Sequence, residues 1–357
     1  MTHTHFAATP QEPILRRNVS PAGITPARAR GLIQVDPTAS TVFPLSADDR
    51  AAAVALTAKT LTDAGVETTD RVVVALNSDG ELGGALVAEA AASAASAAAS
   101  VGPRGRMRLL RVLENVRANV LVGTATGVAD FLARLHLEFL VDPLDLELRL
   151  ILLTGEIADP KKIEHLSREF GARTIELFTD PVSGVPIAHK PAKATALVPA
   201  REDLLALASP TQSFPDGELA EIVVKYPWHS GLTDVIAGTG YLSTRDGSSI
   251  AMPTHTYGDL TLIRGRWVSF SALTKALKGI DGIAHWQLRI SRQGTLDSAT
   301  VHVSFNRESL VQNGMWHARI AQAINAITPI SVQVEIDPQV REDSAPPSIR
   351  DERGHHL

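Results

Sequence analysis

The chain has 357 residues, of which 44% are hydrophobic and 20% charged, with a formal net charge of −5 and no cysteine. This length exceeds what one hydrophobic core usually organises, which predicts two domains. The slight acidity gives no electrostatic basis for binding nucleic acid or an anionic membrane, and the lack of cysteine excludes disulfides, thiolate metal sites and cysteine nucleophiles.

The first half of the chain alternates helix and strand signals. Ser46 is a candidate N-cap followed by acidic residues, and Gly65 is a stop signal, so residues 46–65 are predicted to form a helix. The β-branched run at 70–78 predicts a buried strand. The alternation continues through helix 104–119, strand 120–126, helix 127–138, strand 148–156, helix 159–172 and strand 173–180. This pattern predicts a mostly parallel sheet covered on both faces, with ligands at the carboxyl ends of its strands.

Residues 82–102 form an apolar run that is long enough to cross a bilayer. The run is mostly alanine and serine and contains Glu89, so a buried alanine-rich helix is the preferred interpretation. The N-terminus lacks the basic start and apolar core of a secretory signal. We therefore expect a cytoplasmic protein without a membrane partner.

The flanking regions differ in composition from this alternating part. Residues 1–45 are rich in proline, threonine and alanine and are predicted to form an arm, ahead of a large domain over 46–256. Within that domain, a Pro-Asp-Gly turn at 215–217 predicts a β-hairpin. A small domain with a β-α-β-β pattern follows over 257–336, and the polar tail 337–357 is expected to be disordered.

Four stretches resemble the phenylacetate–coenzyme A ligase branch of the adenylate-forming superfamily, which also includes coenzyme F390 synthetase-like proteins. They are the helix–strand series at 69–133, the strand and loop "LRLILLTGEIADP", the strand "FPDGELAEIVV", and "YGDLTLIRGRWVSFSALTKALKGIDGIAHWQLRISRQGTLD" at 257–297. The resemblance spans roughly residues 40–335. It implies an α/β fold with a large N-terminal domain of mostly parallel sheets and flanking helices, and a small, mobile α+β C-terminal domain that acts as a lid.

The resemblance also implies a chemistry. In this family a carboxylate attacks the α-phosphate of ATP to give an acyl-adenylate and pyrophosphate, and a thiol then displaces AMP. The implied cofactors are ATP and Mg²⁺, with coenzyme A as a candidate acceptor, and the implied partners are a nucleotide and a small, aryl carboxylate. The residues alone do not indicate an oligomeric state.

The implied nucleotide site lies after two of the predicted strands. By resemblance, Gly155 and Glu156 line the nucleotide pocket, and Phe178 provides an aromatic face for a base. Thr179 and Asp180 offer a hydroxyl and a carboxylate, and Asp180 is the candidate Mg²⁺ ligand. Pro181 follows directly, so a structural turn after a buried strand is an equally good interpretation of this stretch.

Other parts of the family pattern are altered. The phosphate loop is replaced by a glycine-free stretch with the hydroxyls of Thr38, Ser40 and Thr41, for which a plain loop leading to an N-cap is the preferred interpretation. Tyr241 stands at the position of the ribose-binding acid, and Asp246 is the nearby candidate substitute. Asp259 and Arg264 match the hinge of the small domain, and a turn cap and a surface charge are their alternative roles.

The family's adenylation lysine has no counterpart here. The tail 337–357 contains no lysine, and Arg350 or Arg353 would have to supply positive charge with a planar guanidinium. Two hypotheses therefore remain open. One is an active acyl-CoA ligase-type enzyme, and the other is a catalytically degenerate relative that serves as a binding or accessory protein in a biosynthetic pathway.

Overall fold

The computed structural model describes residues 14–15, 31–35, 42–78, 82–210, 219–246, 249–307, 314–337, 340 and 348–357. The chain divides into two compact units, Met1–Thr254 and His255–Leu357. The N-terminal unit contains strands β1 (Ile14–Leu15), β2 (Leu32–Val35), β3 (Val42–Leu45), β4 (Arg71–Val74), β5 (Ala97–Ser100), β6 (Val120–Gly123), β7 (Leu150–Leu153), β8 (Arg173–Thr179), β9 (Pro186–Lys190), β10 (Val198–Pro199), β11 (Leu205–Ala208), β12 (Ala220–Lys225), β13 (Ile236–Ser243), β14 (Arg245–Asp246) and β15 (Ser249–Ile250).

The helices of this unit lie between the early strands. The α-helices are α1 (Ala47–Asp63), α2 (Gly84–Ala94), α3 (Arg106–Val116), α4 (Ala125–Arg134) and α5 (Pro160–Glu169). A π-helix, Leu135–Phe139, continues α4, and a 3₁₀-helix occupies Pro143–Leu146.

The main sheet has seven strands in the order β10-β9-β8-β7-β6-β4-β5. The five strands from β8 to β5 are parallel, and β9 and β10 extend the sheet antiparallel to them. Successive residues of β4, β6 and β7 pack alternately into two apolar clusters, one on each face of the sheet. Because both faces are buried, these strands are continuous apolar runs. The prediction of a mostly parallel, doubly covered sheet is confirmed.

The prediction of a single helix over the alanine-rich run is wrong for the end of that run. Helix α2 ends at Ala94, and residues Ala97–Ser100 form β5, which pairs in parallel with β4. The sequence predicted helix throughout, because alanine has the highest helix propensity. Pairing with the open side of β4 overrides that local preference.

A second sheet completes the N-terminal unit. Its strands follow the order β1-β13-β12-β11, and β11 pairs antiparallel with β12. The predicted hairpin is therefore confirmed, although its Pro-Asp-Gly turn lies outside the described residues. Among the described residues, no helix combines the length and the apolarity needed to cross a membrane.

Helix α1 begins at a buried polar cluster. Ser46 and Asp49 form a capping box, in which the Ser46 side chain accepts from the Asp49 N–H and the Asp49 carboxylate accepts from the Ser46 N–H. The Asp49 carboxylate also accepts the Ser230 N–H at 2.7 Å and the Ser230 hydroxyl at 3.1 Å. Burial acts to raise the pKa of Asp49, but these hydrogen bonds outweigh it and lower the pKa to about 2.

Replacing Asp49 with asparagine should lower the free energy of unfolding at pH 7 by about 2 kcal/mol, since each pKa unit corresponds to about 1.4 kcal/mol. The folded-state pKa lies below the ordinary value of 3.8, so this stability is present above pH 4 and is lost as the pH falls towards 2. Urea unfolding of the wild-type protein and the Asp49→Asn variant at pH 7, 4 and 3 should show that the difference between their free energies of unfolding becomes smaller as the pH falls. Asp48→Asn, which changes an exposed residue on the same turn, is the control. A difference in unfolding free energy that does not depend on pH would contradict a stabilising role of the ionised Asp49 carboxylate.

The C-terminal unit is a small α+β domain. Its elements are β16 (His255–Thr256), β17 (Leu260–Ile263), β18 (Arg266–Ser269), α6 (Phe270–Lys278), β19 (Ile283–Gln293), β20 (Leu296–Phe305), α7 (Gly314–Asn325), β21 (Gln333–Ile336) and β22 (Ser348–Asp351). The main sheet of the unit has the order β21-β20-β19-β22, and β17 and β18 form a separate hairpin. Helices α6 and α7 contribute Leu273, Leu277, Ile320 and Ile324 to a core shared with β19 and β20.

The expectation of a disordered tail is wrong for residues 348–357. Strand β22 pairs in parallel with β19, and Arg353, two residues after β22, has a side chain that is only 4% exposed. Its guanidinium contacts Asp297 at 2.5 Å and Asp351 at 2.7 Å, and it donates to the Leu262 carbonyl at 2.8 Å. The polar composition was misleading because two of these charged residues, Asp351 and Arg353, are paired inside the unit. Arg350, in contrast, is exposed.

Replacing Arg353 with glutamine should destabilise the C-terminal unit by about 3–5 kcal/mol, because two buried carboxylates lose their cation. The matched change Arg350→Gln alters an exposed guanidinium and should cost less than about 0.5 kcal/mol. Chemical denaturation followed by circular dichroism measures both, and amide hydrogen exchange over 348–357 reports the local effect. Equal effects of the two substitutions would refute a structural role specific to Arg353.

Candidate functional site

The candidate site lies where the parallel strands of the main sheet end. Strands β6, β7 and β8 run in the same direction, and each is followed at once by a polar residue: Thr124, Thr154 and Asp180. Since parallel strands in register end at one edge, these residues lie along the carboxyl edge of the sheet. We call this row, with its neighbours Thr126, Gly155, Glu156 and Thr179, the carboxyl-edge site.

Two hydroxyls lie together at the centre of the carboxyl-edge site. The Oγ1 atoms of Thr154 and Thr179 are 2.6 Å apart, and both residues are buried. Thr154 was not among the residues singled out in the sequence. Its signal was its position, directly after the apolar run of β7.

Glu156 is held by the start of helix α4. Its carboxylate accepts the backbone N–H of Thr126 at 2.7 Å and also the Thr126 hydroxyl. Thr124 caps the same helix by accepting the Gly127 N–H at 3.1 Å. The structure thus places Glu156 at the predicted edge, half-buried, with its carboxylate oriented by a helix N-terminus.

Asp180 is buried inside a tight turn. Its carboxylate accepts the N–H groups of Val182 and Ser183, both at 3.0 Å, the Ser183 hydroxyl at 2.5 Å and the Tyr226 hydroxyl at 3.1 Å. Burial raises the pKa of Asp180, against the lowering effect of these hydrogen bonds. Both oxygens are occupied and the side chain is fully buried, so it does not fit a Mg²⁺ ligand, which keeps several waters.

Phe178 faces the interior rather than a ligand cavity. It is 2% exposed, and its ring meets that of Tyr241 at a centroid distance of 5.8 Å in an edge-on arrangement. A base would stack on this ring only after the pair had moved apart. The predicted role of Phe178 in adenine binding therefore depends on a rearrangement of Tyr241.

The remaining predicted residues lie elsewhere. Asp259 accepts the N–H of Ser271 at 2.7 Å and the Ser269 hydroxyl at 2.7 Å, so it helps to cap α6. Arg264 occupies the β17–β18 turn with a φ of 53° and donates to the Asp297 carbonyl at 2.5 Å. Their role as a hinge stays a prediction.

Four predicted residues fall wholly or partly outside the described structure. Thr38, Ser40 and Thr41 lie in the segment that joins β2 to β3, outside the described residues. The backbone of Asp246 belongs to β14, and its side chain is not described. Among the residues that are described, no group of three histidine or acidic side chains is placed to hold a metal ion.

Structural comparison relates this architecture to known ligases. The chain is similar to 2-hydroxyisobutyryl-CoA ligase, solved with 2-HIB-AMP and CoA in its thioesterification state, at a TM-score of 0.73 and 16% identity, over 88% of this chain and 72% of that chain. It is also similar to o-succinylbenzoate CoA synthetase of Bacillus subtilis, at a TM-score of 0.66 and 13% identity, over 88% and 70%. The amide bond synthetase McbA of Marinactinospora thermotolerans gives 0.65 at 14% identity, over 86% and 64%.

The chain has the fold of the adenylate-forming ligases. The large N-terminal and the small α+β C-terminal parts both agree with that fold class, as the resemblance in sequence implied. At identities this low, the likeness establishes the fold alone. No protein-family model matches the sequence, and no curated protein matches it.

The carboxyl-edge site depends on the backbone of Gly155, which has a φ of 78°. A Cβ added at this position would come within 2.2 Å of Leu82 Cδ2. Gly155→Ala should therefore lower the free energy of unfolding by about 1–2 kcal/mol and displace the following carboxylate of Glu156. Gly231→Ala is the matched control, because the nearest atom to its added Cβ is 3.7 Å away. Thermal unfolding measures both, and equal midpoints would contradict the expected strain at Gly155.

Proposed function

We propose that the chain is an ATP-dependent, acyl-adenylate-forming ligase-like protein that acts on a small carboxylate. The observation that carries the proposal is the agreement of its fold, over 88% of its length, with a ligase solved with an acyl-adenylate and CoA. The polar residues at the carboxyl edge of the sheet support it, since open parallel sheets bind ligands there.

Within this proposal, the residues of the carboxyl-edge site contact the nucleotide. Gly155 lets the backbone approach the ligand closely, and the Thr154 and Thr179 hydroxyls offer hydrogen bonds. Glu156 is pre-oriented by α4 and accepts hydrogen bonds from hydroxyl groups of the ligand. ATP, when bound, supplies the activated phosphorus that the carboxylate attacks, and coenzyme A is the proposed thiol. The sequence resemblance further favours an aryl acid.

A second candidate function is a binding or accessory protein that has lost adenylation. Three observations favour it: the enclosed carboxylate of Asp180, the packing of Phe178 against Tyr241, and the buried ion pairs of Arg353. Each of these groups contacts another part of the protein, whereas an active ligase would need a group at that position that faces its ligand. Under this function, nucleotide or acyl ligands bind without turnover.

Exchange of labelled pyrophosphate into ATP, measured with a panel of aryl and short-chain acids, tests the first candidate. The expected result is exchange that depends on one class of acid and saturates with it. Glu156→Gln should lower the rate at least about tenfold, because a ligand contact of a charged group is worth about 1.5–3 kcal/mol. Glu169→Gln, at the C-terminal end of α5, is the matched control and should leave the rate unchanged.

Calorimetric titration with ATP distinguishes the two candidates. Binding of ATP without pyrophosphate exchange for any acid supports the accessory protein and rejects the ligase. Absence of both binding and exchange at millimolar ATP rejects a nucleotide role of either kind. Exchange with any acid rejects the degenerate alternative.

A further inference from the structure

Three leucines are exposed in the segment that follows helix α4. Leu137 is 80% exposed, Leu140 84% and Leu144 55%, and we call these three residues the leucine patch. The side chains of Phe139 and Val141, which alternate with them, pack against the apolar core under α4. The segment is therefore anchored to the fold while its leucines face solvent. Large apolar side chains grouped in this way are typical of a protein–protein contact.

The backbone at the centre of the leucine patch is strained. Leu140 ends the π-helix with a φ of 53°, in the left-handed region that glycine adopts freely and a leucine does not. Its side chain is mostly exposed, so packing within the chain does not offset this strain. Backbone strain that the fold does not need is a feature of functional segments. A leucine at this position is therefore explained best by a contact outside the chain.

The segment that carries the leucine patch is negatively charged. Residues 137–147 contain four acidic residues and neither lysine nor arginine. Glu138 pairs with Arg134 at 2.5 Å. Asp145 and Glu147 are exposed, and within the described part of the chain neither carboxylate forms an ion pair. A partner that fits this surface combines apolar side chains with positive charge.

The beginning of helix α3 has this combination. Met107 is 43% exposed, and Arg111, four positions later on the same face of the helix, is exposed as well. Arg104, just before the helix, is also exposed. As far as the chain is described, no carboxylate pairs with the guanidinium of Arg104 or of Arg111. We call Arg104, Met107 and Arg111 the basic face. Its chemistry is complementary to that of the leucine patch and the acidic residues beside it.

The basic face and the leucine patch lie at opposite ends of one layer of helices. Helices α3 and α4 cover the same face of the main sheet, because both supply side chains to one apolar cluster. Residues 104–111 follow β5 and so lie at the carboxyl edge of the parallel strands, whereas residues 137–147 lead into β7 and lie at the amino edge. A two-fold axis perpendicular to this layer places each leucine patch opposite the basic face of the other copy.

We propose that this helical layer is the interface of a homodimer, in which the leucine patch of each copy contacts the basic face of the other. The same contact forms twice, once at each end of the layer, and the two-fold symmetry closes the assembly at two copies. The leucines supply apolar area, and the opposite charges fix which ends meet. The dimer does not depend on the proposed ligase activity.

Sedimentation velocity of the full chain over micromolar concentrations tests the proposal. The expected result is a species of twice the chain's mass that dissociates on dilution and is weakened by added salt, because exposed charges contribute to the contact. A species of the chain's own mass throughout, or assemblies larger than two copies, overturns the proposal.

Replacing Leu140 with glycine separates assembly from folding. The dissociation constant of the dimer should rise at least about fivefold, as for an apolar residue at the centre of an interface. The midpoint of thermal unfolding, measured below the dissociation constant, should be unchanged or higher, because glycine adopts the φ of this position without strain. A dimer of unaltered affinity would remove the leucine patch from the interface.

Charge reversal tests the pairing of the two surfaces. The double variant Asp145→Lys/Glu147→Lys reverses the acidic side of the contact, and Arg104→Glu/Arg111→Glu reverses the basic side. Each should weaken its own dimer by about tenfold or more, since like charges then face each other at both contacts. A mixture of the two variants should form mixed dimers, because opposite charges meet again at both ends.

The matched control is Lys278→Glu/Arg307→Glu, which makes the same change in net charge at exposed positions of the C-terminal unit. It should leave the dimer intact. Two reversed variants that dissociate but do not combine with each other would refute the pairing of the leucine patch with the basic face. Dissociation of the control to the same extent would show a general effect of charge and would refute it as well.

Discussion

The parallel register of β4, β6, β7 and β8 is the constraint on which the N-terminal unit depends. Parallel neighbours require a crossover between them, and here α3, α4 and α5 or their connecting segments provide it. Both faces of the sheet are consequently covered, so in β4, β6 and β7 polar side chains are confined to the strand ends. The row of residues that ends with Asp180 exists because three strand ends meet at one edge.

The polar groups at that edge make hydrogen bonds that stabilise the fold, in addition to any contact with a ligand. Glu156 orders the first turn of α4, and Asp180 closes a turn and receives the Tyr226 hydroxyl. In an adenylate-forming ligase, charges are required at the phosphates and ribose of the nucleotide, where they act by pre-organised electrostatics. A carboxylate that is fully enclosed by protein donors contributes to stability and is poorly placed for that purpose. The fold therefore supports the proposed ligase function more strongly than the carboxyl-edge site does.

In the C-terminal unit a positively charged side chain is likewise engaged in structural contacts. Arg353 lies between Asp297 and Asp351, and this network holds β22 against β19. Burying such a pair costs desolvation energy, which is recovered only when the geometry is good and every donor is used. A guanidinium engaged in this way has a defined structural role. It therefore adds no support for Arg353 as a substitute for the missing lysine.

The sequence by itself determined the helices and strands with strong periodicity, the hairpin of β11 and β12, and the fold class. These follow from local patterns: capping residues, apolar runs and turn signals act over a few residues. The resemblance to a known family also drew attention to Gly155 and Glu156, which follow β7 in the structure. Tertiary structure decided the rest. Ala97–Ser100 became a strand by pairing with β4, and residues 348–357 became ordered through ion pairs with Asp297, more than fifty positions away in sequence. The burial of Asp180 and Phe178 was likewise set by Tyr226 and Tyr241, partners that no local pattern could identify.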